Sequence, residues 1–280
     1  MEILNKENKM SRILCSTGAI IGRPNGRDIT LLNSCQEQLE CDGYEFLMYD
    51  TWYKELDYIR HFMLNFKAQI PVFHVEKTVG DLISRNEERD SEEAIELFRI
   101  NCLLAKDLGA QKLVLHLWSG LDSDKNMQHN IEFYRLLREI SDSYNLSLMI
   151  ENVVCNFSDP MSHLLTLRNI YPDIQFTFDT KMAAFHSQIE LLYEKENEDL
   201  FSNIKHIHVN DYSGGYKDWK KLNTLHIGAG HIDFDKFFDF LKRMNYQGDF
   251  TVEATSFDHN GIIDFDALNI CFRKIRNYIA

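Results

Sequence analysis

LSLMIEN (146–152) is a short apolar run that ends in a carboxylate, Glu151, and five other segments of the chain repeat this pattern. The five are QIPVFHVEK (69–77), KLVLHLW (112–118), DIQFTFD (173–179), IKHIHVND (204–211) and DFTVEAT (249–255). Their terminal side chains, each able to bind a divalent metal, are His74, His116, Asp179, His208 and Glu253. If the runs are parallel strands of one closed barrel, all six side chains meet at one mouth, where barrel enzymes place their catalytic groups.

Strands and helices are predicted to alternate along the whole chain. Two earlier candidate strands, RILCSTG (12–18) and GYEFLMYD (43–50), bring the predicted number of strands to eight. Eight such units favour a single (β/α)8 TIM barrel over residues 1–280, with parallel strands and a metal site at the C-terminal mouth. The alternative is an open doubly wound sheet. It would need a turn of the form G-x-G-x-x-G, which Ser16-Thr17-Gly18 followed by Gly22 does not match.

The helical patterns have recognisable ends. Apolar residues at helical spacing predict helices over 91–108 and 127–143. Asp90 is placed to cap the first of these helices and Gly109 to end it. The Asp159-Pro160 pair predicts an N-cap followed by the first residue of another helix.

The net charge of −13, from 43 acidic and 30 basic residues, argues against a nucleic-acid partner, because nucleic-acid binding uses a basic surface. A local cluster of basic residues, Lys217, Lys220 and Lys221, is interpreted as part of a loop exposed to solvent. The six cysteines are scattered without C-x-x-C spacing, and the first residues, MEILNKENKMSR (1–12), lack the features of a signal peptide. No apolar run approaches the length of a membrane span. We therefore expect a cytoplasmic protein.

Glu151, Asp179, His208 and Glu253 form a mainly oxygen ligand set with one imidazole. Such a set suits Mn²⁺, Mg²⁺ or Co²⁺, and also Zn²⁺ in an open catalytic site. A cation there would polarise a substrate carbonyl, and the two glutamates would move the proton at the neighbouring carbon. A structural salt bridge to a nearby lysine is the alternative for each carboxylate. His206 shares a strand face with His208 and is predicted to lie deeper in the barrel.

The order of these strand ends resembles the xylose isomerase-like TIM-barrel superfamily. The likeness runs from about residue 12 to 275 and rests on His at the end of strand four, Glu-Asn on five, Asp on six, His-x-x-Asp on seven and Glu on eight. The superfamily holds sugar isomerases and epimerases, inosose dehydratases and zinc-dependent apurinic endonucleases. The segment HIGAGHIDF (226–234) resembles its G-x-G-x-I-D stretch.

The resemblance implies roles for particular residues. Glu151, Asp179, His208 and Glu253 match the metal ligands of the ketose 3-epimerase-like members, in which the two glutamates also transfer protons. His74 and His116 match histidines that hold an additional zinc in the endonuclease branch, so they are candidates for a second metal or for substrate contact.

Two positions depart from the superfamily pattern. The histidine expected three residues after Asp179 is replaced by Met182, and His186 is predicted to start the next helix. The Asp-x-His pair of the endonuclease branch is replaced by Asn223 and Leu225, which argues against a three-zinc cluster.

Five side chains are predicted to contact substrate: Lys181, Lys77, Trp118, Glu45 and His226. Lys181 and Lys77 are cations that would meet a phosphate or carboxylate, with a surface charge as the alternative for each. Glu45 is expected near the mouth, where it would support the site or hydrogen-bond a sugar hydroxyl, with a structural salt bridge as the alternative. The expected partner is a small carbohydrate, and homo-oligomers are common in the superfamily.

The sequence therefore predicts a metal-dependent isomerase or epimerase of a small sugar, sugar phosphate or cyclitol. A related dehydratase would use nearly the same proton abstraction. A zinc-dependent phosphodiester hydrolase of the apurinic endonuclease type and a non-catalytic binding barrel are the remaining alternatives.

Overall fold

Eight parallel strands pair in sequence order and close into a barrel in the computed structural model, which describes residues 11–280. The strands are β1 (Ile13–Ser16), β2 (Gly43–Leu47), β3 (Val72–His74), β4 (Lys112–Leu115), β5 (Ser147–Glu151), β6 (Gln175–Asp179), β7 (Ile204–His208) and β8 (Asp249–Val252). The sheet closes because β8 pairs with β1, with Phe250 opposite Ile13. The predicted (β/α)8 barrel is confirmed, and the open sheet is excluded.

Helices alternate with the strands. They are α1 (Leu32–Cys35), α2 (Leu56–Leu64), α3 (Thr78–Arg85), α4 (Glu88–Asp107), α5 (Met127–Ser143), α6 (Pro160–Ile170), α7 (Thr180–Phe185), α8 (Glu198–Phe201), α9 (Phe234–Arg243) and α10 (Phe265–Ile279). The prediction for α5 is confirmed at both ends. Asp159 caps α6 as predicted, since its side chain accepts a hydrogen bond from the Ser162 N–H.

The predicted start of α4 is wrong. The helix begins at Glu88, so Asp90 lies in its first turn instead of capping it. Acidic side chains in a first turn are stabilised by the positive end of the helix dipole, which allows the helix to extend past the expected cap. Its end is as predicted, because Gly109 follows it with a positive φ of 78° that favours glycine.

The interior of the barrel has an apolar floor on one side. The floor is formed by one buried residue from each of four strands: Leu14, Val72, Val114 and Met149. Because side chains on a strand alternate between its two faces, the residues two positions further along point into the same interior. These are Ser16, His74, His116 and Glu151, all buried. Three of the predicted metal-binding side chains therefore lie directly above packed hydrocarbon.

The long loop between β7 and α9 is anchored at its base by the buried carboxylate of Asp211. Its Oδ2 accepts hydrogen bonds from the backbone N–H groups of Gly228 and Gly230, at 2.8 Å each, and Oδ1 accepts one from Ile232 at 3.1 Å. A Cβ atom at Gly230 would lie 2.3 Å from the carbonyl oxygen of Tyr212, so this close approach requires glycine. The loop is thereby held against the barrel mouth.

Within residues 11–280 no helix has the length and apolar content required to cross a bilayer. The expectation that the chain begins without a signal peptide concerns mainly residues 1–10, which lie outside the described residues.

Candidate metal centre at the barrel mouth

The four predicted primary ligands come together where the strands end. Glu151, Asp179 and His208 are the last residues of β5, β6 and β7, and Glu253 directly follows β8. One potential ligand atom from each lies within 4.8 Å of the others. His208 Nδ1 lies 3.1 Å from Glu151 Oε1, 3.4 Å from Glu253 Oε2 and 4.0 Å from Asp179 Oδ2. The converging donors leave room for one cation between them.

A second group of possible ligands shares Glu151 with the first. His74, His116 and Glu151 also bring ligand atoms within 4.8 Å of one another. Glu151 Oε2 lies 2.8 Å from His116 Nε2 and 3.3 Å from His74 Nε2, whereas Oε1 faces His208. The two oxygens of one carboxylate therefore face two neighbouring sites. This arrangement fits a carboxylate that bridges two metals, or one metal with two histidines beside the substrate.

Glu45 lies beneath the mouth, where it supports His208. Its carboxylate oxygens are 3.0 and 3.2 Å from His208 Nε2, and it also contacts His206 Nε2 at 2.9 Å and Thr251 Oγ1 at 2.8 Å. Glu45 and His206 are fully buried. The expected contact of Glu45 with a sugar hydroxyl is therefore replaced by a contact with His208, because Glu45 lies inside β2 and not at its end. His206 is deeper in the barrel, as its strand alternation predicts.

Two asparagines orient the ligands from behind. The Asn210 Nδ2 group donates to Asp179 Oδ2 at 3.0 Å and to Glu253 Oε2 at 3.3 Å, and its Oδ1 accepts from the Glu253 N–H at 3.1 Å. Asn152 exchanges hydrogen bonds with the backbone N–H and carbonyl of Asp179, at 2.6 and 3.0 Å. Such contacts hold carboxylates in the orientation that a metal requires.

The carboxylates of the site outnumber its cations. Burial acts to raise the pKa of Glu151, but the neighbouring His116 and His208 hold it well below its usual range. Burial, together with the neighbouring Glu151 and Glu253, raises the pKa of Asp179 to about 6, although Lys181 opposes the shift. Burial opposes protonation of His208, yet Glu253, Glu45 and Glu151 raise its pKa well above its usual range, and Glu253 has the largest effect of the three.

This charge distribution fits a divalent cation. Burial lowers the pKa of His116 to about 4 against the attraction of Glu151, which favours the neutral imidazole that a metal binds. Buried carboxylates in excess of nearby positive charge are stabilised by a metal ion, and the oxygen-rich set with an imidazole suits Mn²⁺, Mg²⁺, Co²⁺ or Zn²⁺. The geometry and the charges therefore make this cluster a candidate site for a divalent cation.

Replacing Glu45 by Gln is expected to weaken metal binding about 10–100-fold, because a ligating histidine needs an acceptor on its other ring nitrogen. The measurement is metal affinity by competition with a chelator. Thr251→Val is the matched control: it removes a different hydrogen bond to Glu45 but keeps the carboxylate facing His208. Equal affinities for Glu45→Gln and the unaltered protein would show that Glu45 does not orient the ligand.

The predicted substrate residues lie in different environments. Lys181 is buried, and its Nζ donates to Thr224 Oγ1 at 3.0 Å. Lys77 is exposed on the rim beside a cleft of about 560 Å³. His226 is half-buried with its Nε2 2.7 Å from Ser256 Oγ. Lys181 is thus the predicted cation that the fold encloses.

Trp118 was expected to pack against a sugar ring, and the structure contradicts this expectation. The side chain is fully buried, its Nε1 donates to the Val153 carbonyl at 3.2 Å, and its ring contacts His163 of α6. The ring is held in the layer between β-strand ends and helices, where a substrate does not reach it. The prediction failed because position after a strand does not specify which face a side chain takes.

The prediction that His186 starts a helix is also wrong. His186 ends α7 as its C-cap, and its buried Nε2 accepts a hydrogen bond from the Cys155 N–H at 3.1 Å. A short helix directly after β6, capped by Asp179 itself, was not visible in the apolar periodicity because it has only six residues. His186 therefore supports the loop after β5.

A buried network that sequence reasoning did not find lies behind this loop. Asp124 accepts hydrogen bonds from the backbone N–H groups of Asn156, Phe157 and Ser158, at 2.8, 3.0 and 2.7 Å, and lies 3.0 Å from His163 Nε2. Burial opposes ionisation, but these donors hold the pKa of Asp124 well below its usual range. The single carboxylate thus fixes the loop that follows Glu151.

Asp124→Asn is expected to lower the free energy of unfolding by about 2–3 kcal/mol at pH 7, since several bonds to a buried charge are lost. Because the pKa of Asp124 is lower in the folded protein than in the unfolded chain, where it is near 4, its charge stabilises the fold above about pH 4. That stability is lost as the pH falls through the folded pKa. The difference between the proteins should therefore shrink below about pH 4. Urea unfolding at several pH values measures it, with the half-exposed Asp122→Asn as control. A pH-independent difference would contradict the charge-based account.

The match to known proteins covers most of the chain. A family model described as "xylose isomerase-like TIM barrel" matches residues 37–266. An uncharacterized protein of Methanocaldococcus jannaschii is 26% identical over an alignment of 227 residues that covers 76% of this chain and 74% of the relative.

Solved structures share the fold at low identity. A D-tagatose 3-epimerase-like protein is 21% identical with a TM-score of 0.67, over 96% of this chain and 97% of that one. The IOLI protein with a bound zinc atom is 15% identical with a TM-score of 0.74, over 96% and 98%. The D-allulose 3-epimerase from Methylomonas sp., in complex with D-allulose, is 14% identical with a TM-score of 0.73, over 96% and 98%. Because the family model matches most of the chain and the barrel is the fold it describes, this chain belongs to the xylose isomerase-like TIM barrel family.

Proposed function

We propose that this protein is a metal-dependent isomerase or epimerase of a small sugar, sugar phosphate or cyclitol. The observation that carries the proposal is the pairing of Glu151 and Glu253 around one group of ligands, each within 3.4 Å of His208 Nδ1. Proteins of the same fold include epimerases of D-allulose and L-ribulose, by their descriptions. These relatives support a carbohydrate substrate for the present chain.

The principal metal would be held by Glu151, Asp179, His208 and Glu253. When bound, a divalent cation would polarise the substrate carbonyl and make the proton on the neighbouring carbon more acidic. Glu253 is the more accessible glutamate, with 17% of its side chain exposed against 1% for Glu151. In epimerisation one glutamate removes the proton from one face of the carbon and the other returns a proton to the opposite face.

His74 and His116 support a second candidate, a zinc-dependent phosphodiester hydrolase. They form with Glu151 the second ligand group, which a one-metal isomerase does not require. The net charge of −13 and the positions of Asn223 and Leu225 favour the isomerase instead. A dehydratase remains a close alternative because it begins with the same proton abstraction.

Metal analysis and proton exchange together test the proposal. The protein, purified without an affinity tag, is analysed by inductively coupled plasma mass spectrometry and then incubated with ketoses and cyclitols in D₂O. About one metal per chain and deuterium incorporation next to the carbonyl, followed by NMR, is the expected result. Two tightly held zinc ions together with cleavage of abasic DNA would instead support the hydrolase.

A further inference from the structure

Lys181 is a buried lysine near the barrel mouth. It follows the ligand Asp179 by two residues, and only 7% of its surface is exposed. Burying an ammonium group is costly unless an anion pairs with it. The partners of Lys181 therefore indicate whether the fold itself supplies that anion.

The hydrogen-bond partner of Lys181 is neutral. Its Nζ donates to the hydroxyl of Thr224 at 3.0 Å, and although the Asp179 carboxylate attracts the ammonium at longer range, no carboxylate of residues 11–280 forms an ion pair with it within 4.0 Å. The other lysines near the mouth differ: Lys77 is exposed, and Lys217 donates to the carbonyl of Ser158 at the surface. Since an ammonium group has three N–H donors, Lys181 can donate to a further ligand.

Thr224 connects this cation to the loops that surround the metal ligands. The carbonyl of Thr224 accepts a hydrogen bond from the N–H of Thr255 at 3.1 Å, and Thr255 is two residues beyond Glu253. Lys181 itself lies in the segment after β6. The ammonium is therefore enclosed by the segments that follow β6, β7 and β8. Asp179 and His208 end β6 and β7, and Glu253 directly follows β8.

We propose that Lys181 and Thr224 form an anion-binding subsite and that the substrate is an acidic sugar. Its carboxylate or phosphate would pair with the Lys181 ammonium while its carbonyl end lies among the metal ligands. The inference rests on the proposed function and narrows its substrate class. It assigns Lys181 to specificity, so its removal should act mainly on KM and leave the proton-transfer groups in place.

Three ketoses with one carbon skeleton form the test: D-fructose, D-fructuronate and D-fructose 6-phosphate, each with Mn²⁺-loaded protein. Binding is measured by calorimetry and turnover by deuterium incorporation from D₂O. We expect at least one acidic ketose to bind about 30-fold or more tightly than D-fructose, and Lys181→Met to abolish that preference. Tighter binding of D-fructuronate would indicate a carboxylate substrate, and tighter binding of D-fructose 6-phosphate would indicate a phosphate substrate.

Lys181→Arg and Lys220→Met are the matched variants, because the first keeps the charge and the second removes an exposed lysine from the same loop as Thr224. Both should retain most of the preference, with unchanged metal content in all variants. The subsite would be overturned if neither acid bound more tightly than D-fructose, or if Lys181→Met weakened neutral and acidic ketoses equally. Lys181-dependent binding of an acid without any proton exchange would support the subsite and contradict the proposed isomerase.

Discussion

Glu253→Gln is expected to lower the turnover number about 1,000-fold on any substrate that the unaltered protein converts. The reason is that an amide keeps an oxygen available to the metal but cannot accept the substrate proton at neutral pH. KM should change little, because the remaining ligands still position the carbonyl. Turnover and metal content are measured on the same preparation, so that loss of chemistry is separated from loss of metal.

Glu139→Gln is the control for this variant, since Glu139 is an exposed residue of α5 that forms a surface ion pair with Arg135 and should not affect turnover. Full activity of Glu253→Gln with normal metal content would remove Glu253 from the proton-transfer pair. Loss of turnover with ligand binding preserved would also exclude the binding-barrel alternative, because a non-catalytic barrel has no turnover to lose.

Glu151→Gln is expected to weaken metal binding by at least about 100-fold. One oxygen of Glu151 faces His208 and the other faces His74 and His116, so a single substitution alters both ligand groups. The amide also places N–H donors opposite nitrogen atoms that should bind the metal. Metal per chain after dialysis, measured by mass spectrometry, reports the loss.

His116→Asn is the comparison that separates the two groups. If the principal metal lies with Glu151, Asp179, His208 and Glu253, this variant keeps about one equivalent, whereas Glu151→Gln keeps much less. Loss of one equivalent out of two in His116→Asn would identify His116 as a ligand of a second metal. Normal metal content and full activity in both glutamate variants would contradict the scheme altogether.

The buried charged groups of the site are held in place by contacts with one another. The two oxygens of Glu151, the Glu45 carboxylate below and the Asn210 amide behind all converge on His208 and its neighbours. Each group limits the freedom of the next, so the ligands are held in place by hydrogen bonds before a metal arrives. Preorganisation of this kind reduces the entropic cost of metal binding and keeps the proton-transfer groups aligned.

The sequence by itself determined the barrel and the residues at its mouth. Because side chains alternate along a strand, Glu151, Asp179 and His208 could be placed on inward faces. Every strand of a parallel barrel ends at the same rim, so the position of each residue in its own strand was enough to place it at the mouth. Helix boundaries with strong local signals, such as the Asp159 cap, were also predictable. Strand alternation and helix caps depend on residues close together in the chain.

Only the tertiary structure decided which side chains support the candidate ligands and which are packed away from the mouth. Glu45 contacts His208 across 163 positions of sequence, and Lys181 meets Thr224 across 43. Trp118 follows a strand end as the ligands do, yet it packs against His163 inside the protein. Such contacts depend on barrel closure and on the packing of loops from different βα units, and no local periodicity encodes them.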